Sequence, residues 1–504
     1  MPPRPPVSAA SSGLLRIPYT DPLPAPKIIP PEAGTLEGAI GALVEWLLAP
    51  PPNNLKHSPS PPSATSPIHR PLTNSHHDHP GGASHPHGKT LVLSGAGLSV
   101  ASGLADYRGE NGTYRMNRSY RPVFFAEFVR NHEARKRYWA RSFLGWEGLK
   151  GRKPNEGHIA IGRLGNVSQG GELGLVSGVI TQSEYYGLFC GHPISIVYPY
   201  TVHFRFHIRS PWECIIIIFF IFSHARPVVY RISFQSFLFF TSLYNTETNS
   251  ILDVDSLHQL AHPSIPVTEL HGALRTLICL TCRTPYPRPL FQSQLAALNP
   301  SWADFLSELV QSGALETEDP EERRKRGLRT NPDGDVDVPG VEYSSFRYPA
   351  CAVCSGRLGK EPSQEDVEHL ASGMQLPPQH HLRPRAAVDK DGALLAESPT
   401  GILKPGVVMF GESVSPSVKT DAENKIDEAD KILVVGSSLA TYSAWRLVKR
   451  GVERGCAIGV LNIGGVRGES GFFGDGEKGK VRVSLEAEKV LPMVVERVRQ
   501  AMGN

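Results

Sequence analysis

Two Cys-x-x-Cys pairs, Cys279/Cys282 and Cys351/Cys354, carry the most specific chemistry in the chain. Two such knuckles present four thiolates to one tetrahedral Zn2+, and a site closed by four protein ligands is structural rather than catalytic. The gap of 68 residues between the pairs leaves a competing reading, two unrelated pairs of free thiols. A second group is Gly95-Ala96-Gly97-Leu98-Ser99, running on to Asp106 and Arg108, directly after the apolar run LVL. Glycines at a strand end let a backbone approach a pyrophosphate, and the helix N-terminus beyond favours the anion. Val100 stands where the ordinary fingerprint G-x-G-x-x-G needs its third glycine, and no acid follows at the ribose-binding distance. An ordinary hydride-transfer enzyme is thereby disfavoured. Two histidines complete the set, His258 in VDSLH and His271 in ELHG. His271, between a Gly turn and the first knuckle, is the better general base, because a neutral imidazole near pH 7 takes up a hydroxyl proton.

These residues need a frame, and the hydrophobic pattern supplies one. LVLSGAG from Lys89 onward, GVIT at 178–181, KILVVGSSL at 431–439 and AIGVLNIGG at 457–465 are short aliphatic runs ending in Gly, Ser or Asn. Separated by helical stretches such as Ser417–Asp430 and Thr441–Arg450, they predict an α/β fold. It has a large parallel, Rossmann-like sheet with ligand groups at the strand ends and a small zinc-binding module. Residues 35–48 predict an amphipathic helix.

The remainder divides by composition. Residues 1–33 form a Pro-rich leader, read as a disordered terminus or a weak mitochondrial transit peptide with Arg4 and Arg16. Residues 34–88 are the helix plus a Pro/Ser/His-rich linker, whose histidines suit a polar loop better than a metal site. Residues 89–182 and 401–500 make the sheet domain, 253–356 the His271 segment with the zinc module, and 357–400 a polar loop. Residues 183–252 stand apart: they hold 17 of the chain's 41 aromatics, contain no Lys, and show neither helical nor alternating periodicity.

The chain has 504 residues, 52 Lys+Arg against 49 Asp+Glu, and a net charge of +3. So even a balance argues against nucleic acid as a partner. A zinc-knuckle nucleic-acid binder would need a basic patch, and EERRKR at 321–326 is mixed in sign. The longest strictly apolar run, nine residues from Cys214, is too short for a membrane helix. Seven sparse cysteines suit a reducing compartment better than a secreted disulfide framework.

Taken in order, GAGLSVASGLADYRG, VITQ, VDSLH, ELHG, the Cys pairs, KPGVVMFGE at 404–412, VGSSL and LNIG resemble the sirtuins, the NAD-dependent protein deacylases. RYWARSFLGW at 137–146 and ADYRGENGTYR resemble the mitochondrial class II branch, the lineage of sirtuin four and sirtuin five. The resemblance implies an enzyme that uses NAD as a consumed co-substrate and Zn2+ as a structural ion. It releases nicotinamide and passes an acyl group from the lysine of a protein substrate to ADP-ribose. It implies that Gly95, Ala96, Gly97, Ser99, Asp106, Arg108 and Asp255 line the NAD site, with Gln182 near the ribose. Gly436, Ser437 and Asn462 would meet the adenosine half, and His271 would accept the proton. Tyr138 and Arg141 match a Tyr-x-x-Arg pair that recognises acidic acyl groups, a role that suits a guanidinium; an ordinary surface Arg is the competing reading. The class II likeness implies the mitochondrial matrix, with cytoplasm or nucleus otherwise.

The chain departs from the family at one functional stretch. Thr-Gln-Asn-(Ile/Val)-Asp is split here into Thr181-Gln182 and Val254-Asp255, with the aromatic segment between and no Asn on either flank. Residues 183–252 therefore read as a translated intron or gene-model error. Retained, they imply an impaired NAD- or ADP-ribose-binding protein; a protein ADP-ribosyltransferase is a separate alternative to the deacylase. Ala105 and Gly406 replace the family's Pro and Asp.

Overall fold

The computed structural model describes residues 21–53, 55, 87–110, 112–116, 121–166, 176–180, 202–210, 213–220, 228–233, 255, 257–262, 265, 267–313, 329–330, 336–338, 341–356, 385–474 and 479–503. Fourteen strands are described: β1 (Thr90–Ser94), β2 (Val176–Ile180), β3 (Val202–Ser210), β4 (Glu213–Phe220), β5 (Val228–Ser233), β6 (Val267–Thr268), β7 (Gly272–Cys279), β8 (Pro285–Pro287), β9 (Arg329–Thr330), β10 (Val336–Asp337), β11 (Leu403–Val407), β12 (Lys431–Val435), β13 (Ala457–Leu461) and β14 (Lys480–Val483). Six of them form one parallel sheet in the order β14-β13-β12-β1-β2-β6. All four aliphatic runs read from the sequence are in it. The edge strands β6 and β14 escaped that reading because two and four residues are too few to show a period.

Alternation along each strand splits the core into two layers, as a sheet covered on both faces requires. Val92, Leu433, Val435 and Val481 pack with the helices Leu36–Leu48, Glu156–Asn166 and Ala487–Ala501. Leu91, Leu93, Ile432 and Val434 face the helices Pro416–Glu428 and Tyr442–Arg454 on the other side. The helix Leu36–Leu48 opens on Thr35, whose Oγ1 accepts from the Gly38 N–H at 3.1 Å, so the predicted helix has a side-chain cap. Its other end is held by Lys431 of β12, whose buried Nζ donates to the carbonyls of Trp46, Leu47 and Ala49 at 2.9, 2.8 and 2.6 Å. These are orphan carbonyls of a helix C-terminus, where a cation is favourable.

The second layer of organisation is the small module. β11, β7 and β8 make an antiparallel sheet, so 401–407 belong with the cysteines and not with the large sheet. Its core joins the four cysteines to Phe291, Tyr348 and the aromatic side of the helix His132–Lys150. Residues 385–400, expected as loop, are folded onto it: Arg347 pairs with Asp389 and Asp391 at 2.6 and 2.7 Å. The leader is also shorter than its composition suggests. From Asp21 the chain is laid along β14, with Ile29 2% exposed and bonded to Arg482. Pro prevents helix here but not a pinned extended strap.

Residues 184–250 form a separate unit. Its described strands make their own antiparallel sheet, in the order β3-β4-β5.

The chain order β1, β2, β6 on one side and β12, β13, β14 on the other makes the β1/β12 boundary the topological switch point, where ligands bind in such sheets. Two loops meet there: Gly97 N–H donates to the Gly436 carbonyl at 2.9 Å. Gly436 has φ +58°, and a Cβ on it would lie 2.3 Å from the Leu98 nitrogen. A Gly436→Ala chain should be destabilised by about 2–3 kcal/mol, from left-handed strain plus the clash. Thermal melting should show this as a midpoint lower by several degrees, and an unchanged midpoint would contradict the close approach.

Candidate active site

Outside the carboxyl ends of the large sheet lies a cavity of about 1640 Å³. That exceeds the roughly 300–1,000 Å³ of an ordinary small-molecule pocket, so it has room for a dinucleotide plus a peptide side chain. Gly95, Ala96, Gly97, Ser99, Asp106, Arg108, Tyr138, Arg141, Asp255, His271, Gly436, Ser437 and Asn462 all line it. Of the predicted nucleotide and acyl-site residues only Gln182 lies outside the described residues.

Each group arrives by its own strand. Gly95 follows β1, Gly436 follows β12, Asn462 follows β13 and His271 follows β6. The segment after β1 is not the α-helix its sequence predicts but a 3₁₀ stretch, Ala96–Ser102, closed by Gly103 at φ +79°. Asn155 holds it, donating from Nδ2 to the Leu98 carbonyl at 2.7 Å and to Ser102 Oγ at 3.0 Å. The correction matters physically. The Gly97 and Leu98 N–H groups donate to the Gly436 and Gly95 carbonyls, so the stretch is held by loop packing and carries no helix macrodipole of any length. Asp106 accepts from the Gly109 N–H at 2.8 Å, which ties the loop that carries Arg108, and burial raises its pKa.

His271 is half-buried, and desolvation of its ring drops its pKa to about 4. It is therefore a neutral imidazole at pH 7, ready to accept. Its Nε2 is hydrogen-bonded with Ser443 Oγ at 2.6 Å, and both residues line the cavity. A hydroxyl thus already sits on the nitrogen a substrate hydroxyl would use. Ser443, on the first turn of Tyr442–Arg454, gave no signal in the sequence, because only the fold brings it across 172 positions. Asp255 is buried, its carboxylate accepting from the Leu257 N–H at 3.0 Å; burial raises its pKa against that bond and one from Ser99.

Tyr138 and Arg141 stand three apart on one face of the helix His132–Lys150, and both are buried at the cavity wall rather than on an outer surface. The facing wall is the Val407–Glu412 loop. Lys404 staples it, donating from Nζ to the Pro405 carbonyl at 2.9 Å, to the Val407 carbonyl, and to Glu412 Oε2 at 3.0 Å. Neither Lys404 nor Glu412 was singled out by its residue type.

His258 does not reach the reacting end. It is buried under the floor with His158 and His262; its Nδ1 lies 2.9 Å from His262 Nε2, and His158 Nε2 lies 3.4 Å from Ser99 Oγ. Burial lowers all three, His158 to about 3, His262 to about 4 and His258 well below its ordinary value.

The four cysteine sulfurs lie within 4.8 Å of one another, with Cys279–Cys354 and Cys282–Cys351 each at 3.7 Å. Zn–S bonds of about 2.3 Å set tetrahedral thiolates about 3.8 Å apart, which the two 3.7 Å pairs match, so the donor set fits Zn2+. All four are buried, which leaves no open ligand position for substrate.

A crevice at the switch point of a parallel sheet, a half-buried imidazole in its wall and a four-cysteine cluster in a small module define a nucleotide-using α/β enzyme. A Sir2 family model matches residues 240–443. It is 28% identical to the NAD-dependent protein deacylase SIR4 of Batrachochytrium dendrobatidis, over 82% of this chain and 91% of that one. The NAD-dependent protein deacylase SRT2 of Arabidopsis thaliana is 26% identical over 76% of this chain and 67% of its own. The mitochondrial NAD-dependent protein lipoamidase sirtuin-4 of Bos taurus is 25% identical over 81% and 82%.

Two measurements check this geometry. Stripping zinc with a chelator should lower the melting midpoint by many degrees, since structural zinc contributes folding energy outright; Cys351→Ser should do the same. Acid should also unfold the protein. His158, His258, His262 and His271 are held neutral, with folded pKa values below the unfolded 6.5. Their contribution is complete above about pH 6.5 and is lost as pH falls from there toward 4. Urea titrations should show stability falling steadily between pH 7 and 5. The slope should flatten in a His262→Gln chain.

Proposed function

We propose that this protein is an NAD-dependent protein lysine deacylase. It transfers the acyl group of an acyl-lysine to ADP-ribose and releases nicotinamide. One observation carries the reading. His271 and the strand-end loops Gly95–Gly97 and Gly436–Ser437, remote in sequence, line a single cavity with a carboxylate, Asp255, on its floor.

The chain's own groups divide the work. The Gly95–Ser99 and Gly436–Ser437 loops form the wall against which the pyrophosphate lies, and it approaches closely because no Cβ intervenes at the glycines; the N–H groups of Gly95, Gly97, Leu98 and Gly436 are themselves spent on carbonyls of the fold. Arg108 adds positive charge at the same end. Asp255 orients the ribose hydroxyls next to the bond that breaks. His271 accepts the proton from the ribose hydroxyl to which the acyl group passes, with Ser443 marking the approach to Nε2. Tyr138 and Arg141 receive the acyl chain, and a guanidinium there favours an acyl group ending in a carboxylate. The lipoamidase name of the bovine relative supports testing lipoyl-lysine beside acidic acyl groups. Cys279, Cys282, Cys351 and Cys354 hold Zn2+, which keeps the walls of the small module in place and takes no part in acyl transfer. The mitochondrial relative also supports a mitochondrial location.

A second reading, NAD or ADP-ribose binding without turnover, or ADP-ribosyl transfer, is favoured by the separation of Thr181-Gln182 from Val254-Asp255 by residues 183–252. Those residues form a unit of their own, consistent with translated intron sequence joining two halves of one stretch. Sequencing the spliced transcript across the junction distinguishes the two.

Nicotinamide release from NAD, measured with a panel of acyl-lysine peptides, tests the main reading. His271→Ala should lower the rate by about 10²–10⁴-fold, the usual contribution of a positioned base. Rates unchanged by that substitution would remove His271 from its role, and no release by the parent chain would leave the binding-only reading.

A further inference from the structure

We infer that the N-terminal strap, Asp21–Ile29, is part of the nucleotide-binding site, and that Leu23 supplies the apolar contact for the adenine base. The inference rests on the NAD reading above and extends it to a segment whose composition gives no such sign.

The position of the base follows from strand order. His271 follows β6 and meets the ribose that reacts. The cleft runs from there past β2, β1 and β12 to the Asn462–Gly465 loop after β13. Four interstrand steps of about 4.8 Å separate the two ends, roughly 19 Å. An extended dinucleotide with its reacting sugar at the β6 end therefore places its other base at the β13 end. What covers the β13 end meets adenine.

That cover is the strap. Asp21, Pro22 and Leu23 line the same cavity as His271. The strap crosses Gly465 at contact distance: a Cβ there would lie 2.1 Å from the Pro24 carbonyl oxygen and 3.1 Å from Leu23 Cβ. It is fastened farther along, where Ile29 N–H donates to the Arg482 carbonyl at 3.1 Å and Arg482 N–H donates back at 2.7 Å.

Arg482 couples strap and loop. It is fully buried. Its guanidinium donates to the carbonyls of Asn462 at 2.9 Å and Gly464 at 2.5 Å, and pairs with Glu469 at 2.7 Å. One residue thus holds the base loop by its side chain and the strap by its backbone. Arg482 is a positioning residue; Leu23 is the binding one.

Leu23→Ala in the full chain tests this. The expected result is a KM for NAD, and a calorimetric Kd for ADP-ribose, raised about tenfold, as loss of a few buried methyl groups predicts. The KM for acyl peptide, inhibition by nicotinamide (which leaves at the His271 end) and the melting midpoint should all stay at parent values. Leu23→Met, which keeps the apolar bulk, should restore the affinity. A Leu23→Ala chain with parental NAD and ADP-ribose affinity overturns the inference and leaves the deacylase reading standing. A parent chain that neither binds nor consumes NAD overturns both.

Discussion

The site depends on how closely two loops approach. β1 and β12 are neighbours whose chain connections leave in opposite directions, and their exits, Gly95–Gly97 and Gly436, touch backbone to backbone. A Cβ at Gly97 would lie 2.7 Å from the Gly436 carbonyl oxygen, and one at Gly95 would lie 2.7 Å from Ser437 Cβ. The glycines therefore serve the protein before they serve a ligand. They close the base of the crevice, and the two loops, tied backbone to backbone, form its cradle. His271, Asp255 and Asn462 are then placed relative to that cradle by strands flanking it in one rigid sheet.

The second constraint is shared packing. The aromatic side of the helix His132–Lys150 lies in the same core as the four cysteines. Arg288, buried in the small module, donates to Ser142 Oγ at 3.0 Å and its carbonyl at 2.8 Å, and its guanidinium lies over the rings of Trp139 and Trp146. Ser142 is next to Arg141. The cysteine cluster and the cavity wall that carries Tyr138 and Arg141 thus belong to one packed unit, so the geometry of the small module reaches that wall.

Much of this was legible. Aliphatic runs ending in small residues located four of six strands of the large sheet, and the residues after them line the cavity. Cys-x-x-Cys spacing located the four cysteines that cluster despite a long gap, because ligand chemistry is carried by residue type. Other parts were not legible for physical reasons. The 3₁₀ form of Ala96–Ser102 is imposed by Asn155 and the Gly436 loop, which are tertiary partners. Ser443, Lys404 and Glu412 are ordinary polar residues until the fold brings them to His271 or the Val407–Glu412 loop. Proline-rich composition made residues 21–33 look like unstructured leader, yet two backbone hydrogen bonds and one buried isoleucine pin them. His258 and His271 have similar sequence surroundings, and only depth below the cavity floor separates a packing histidine from the candidate base.

The contact between Ile29 and Arg482 has a further consequence for how the molecule behaves in company. β14 is an outer strand of the large sheet, and outer strands offer unpaired peptide groups to any extended segment that drifts near. Ile29 occupies that border with one antiparallel bridge, and Pro30 next to it lacks the N–H to recruit another strand. At the opposite border β6 is two residues long and gives little purchase. A chain trimmed beyond Ile29 would bare its longer border, and self-association that grows with concentration would be the price.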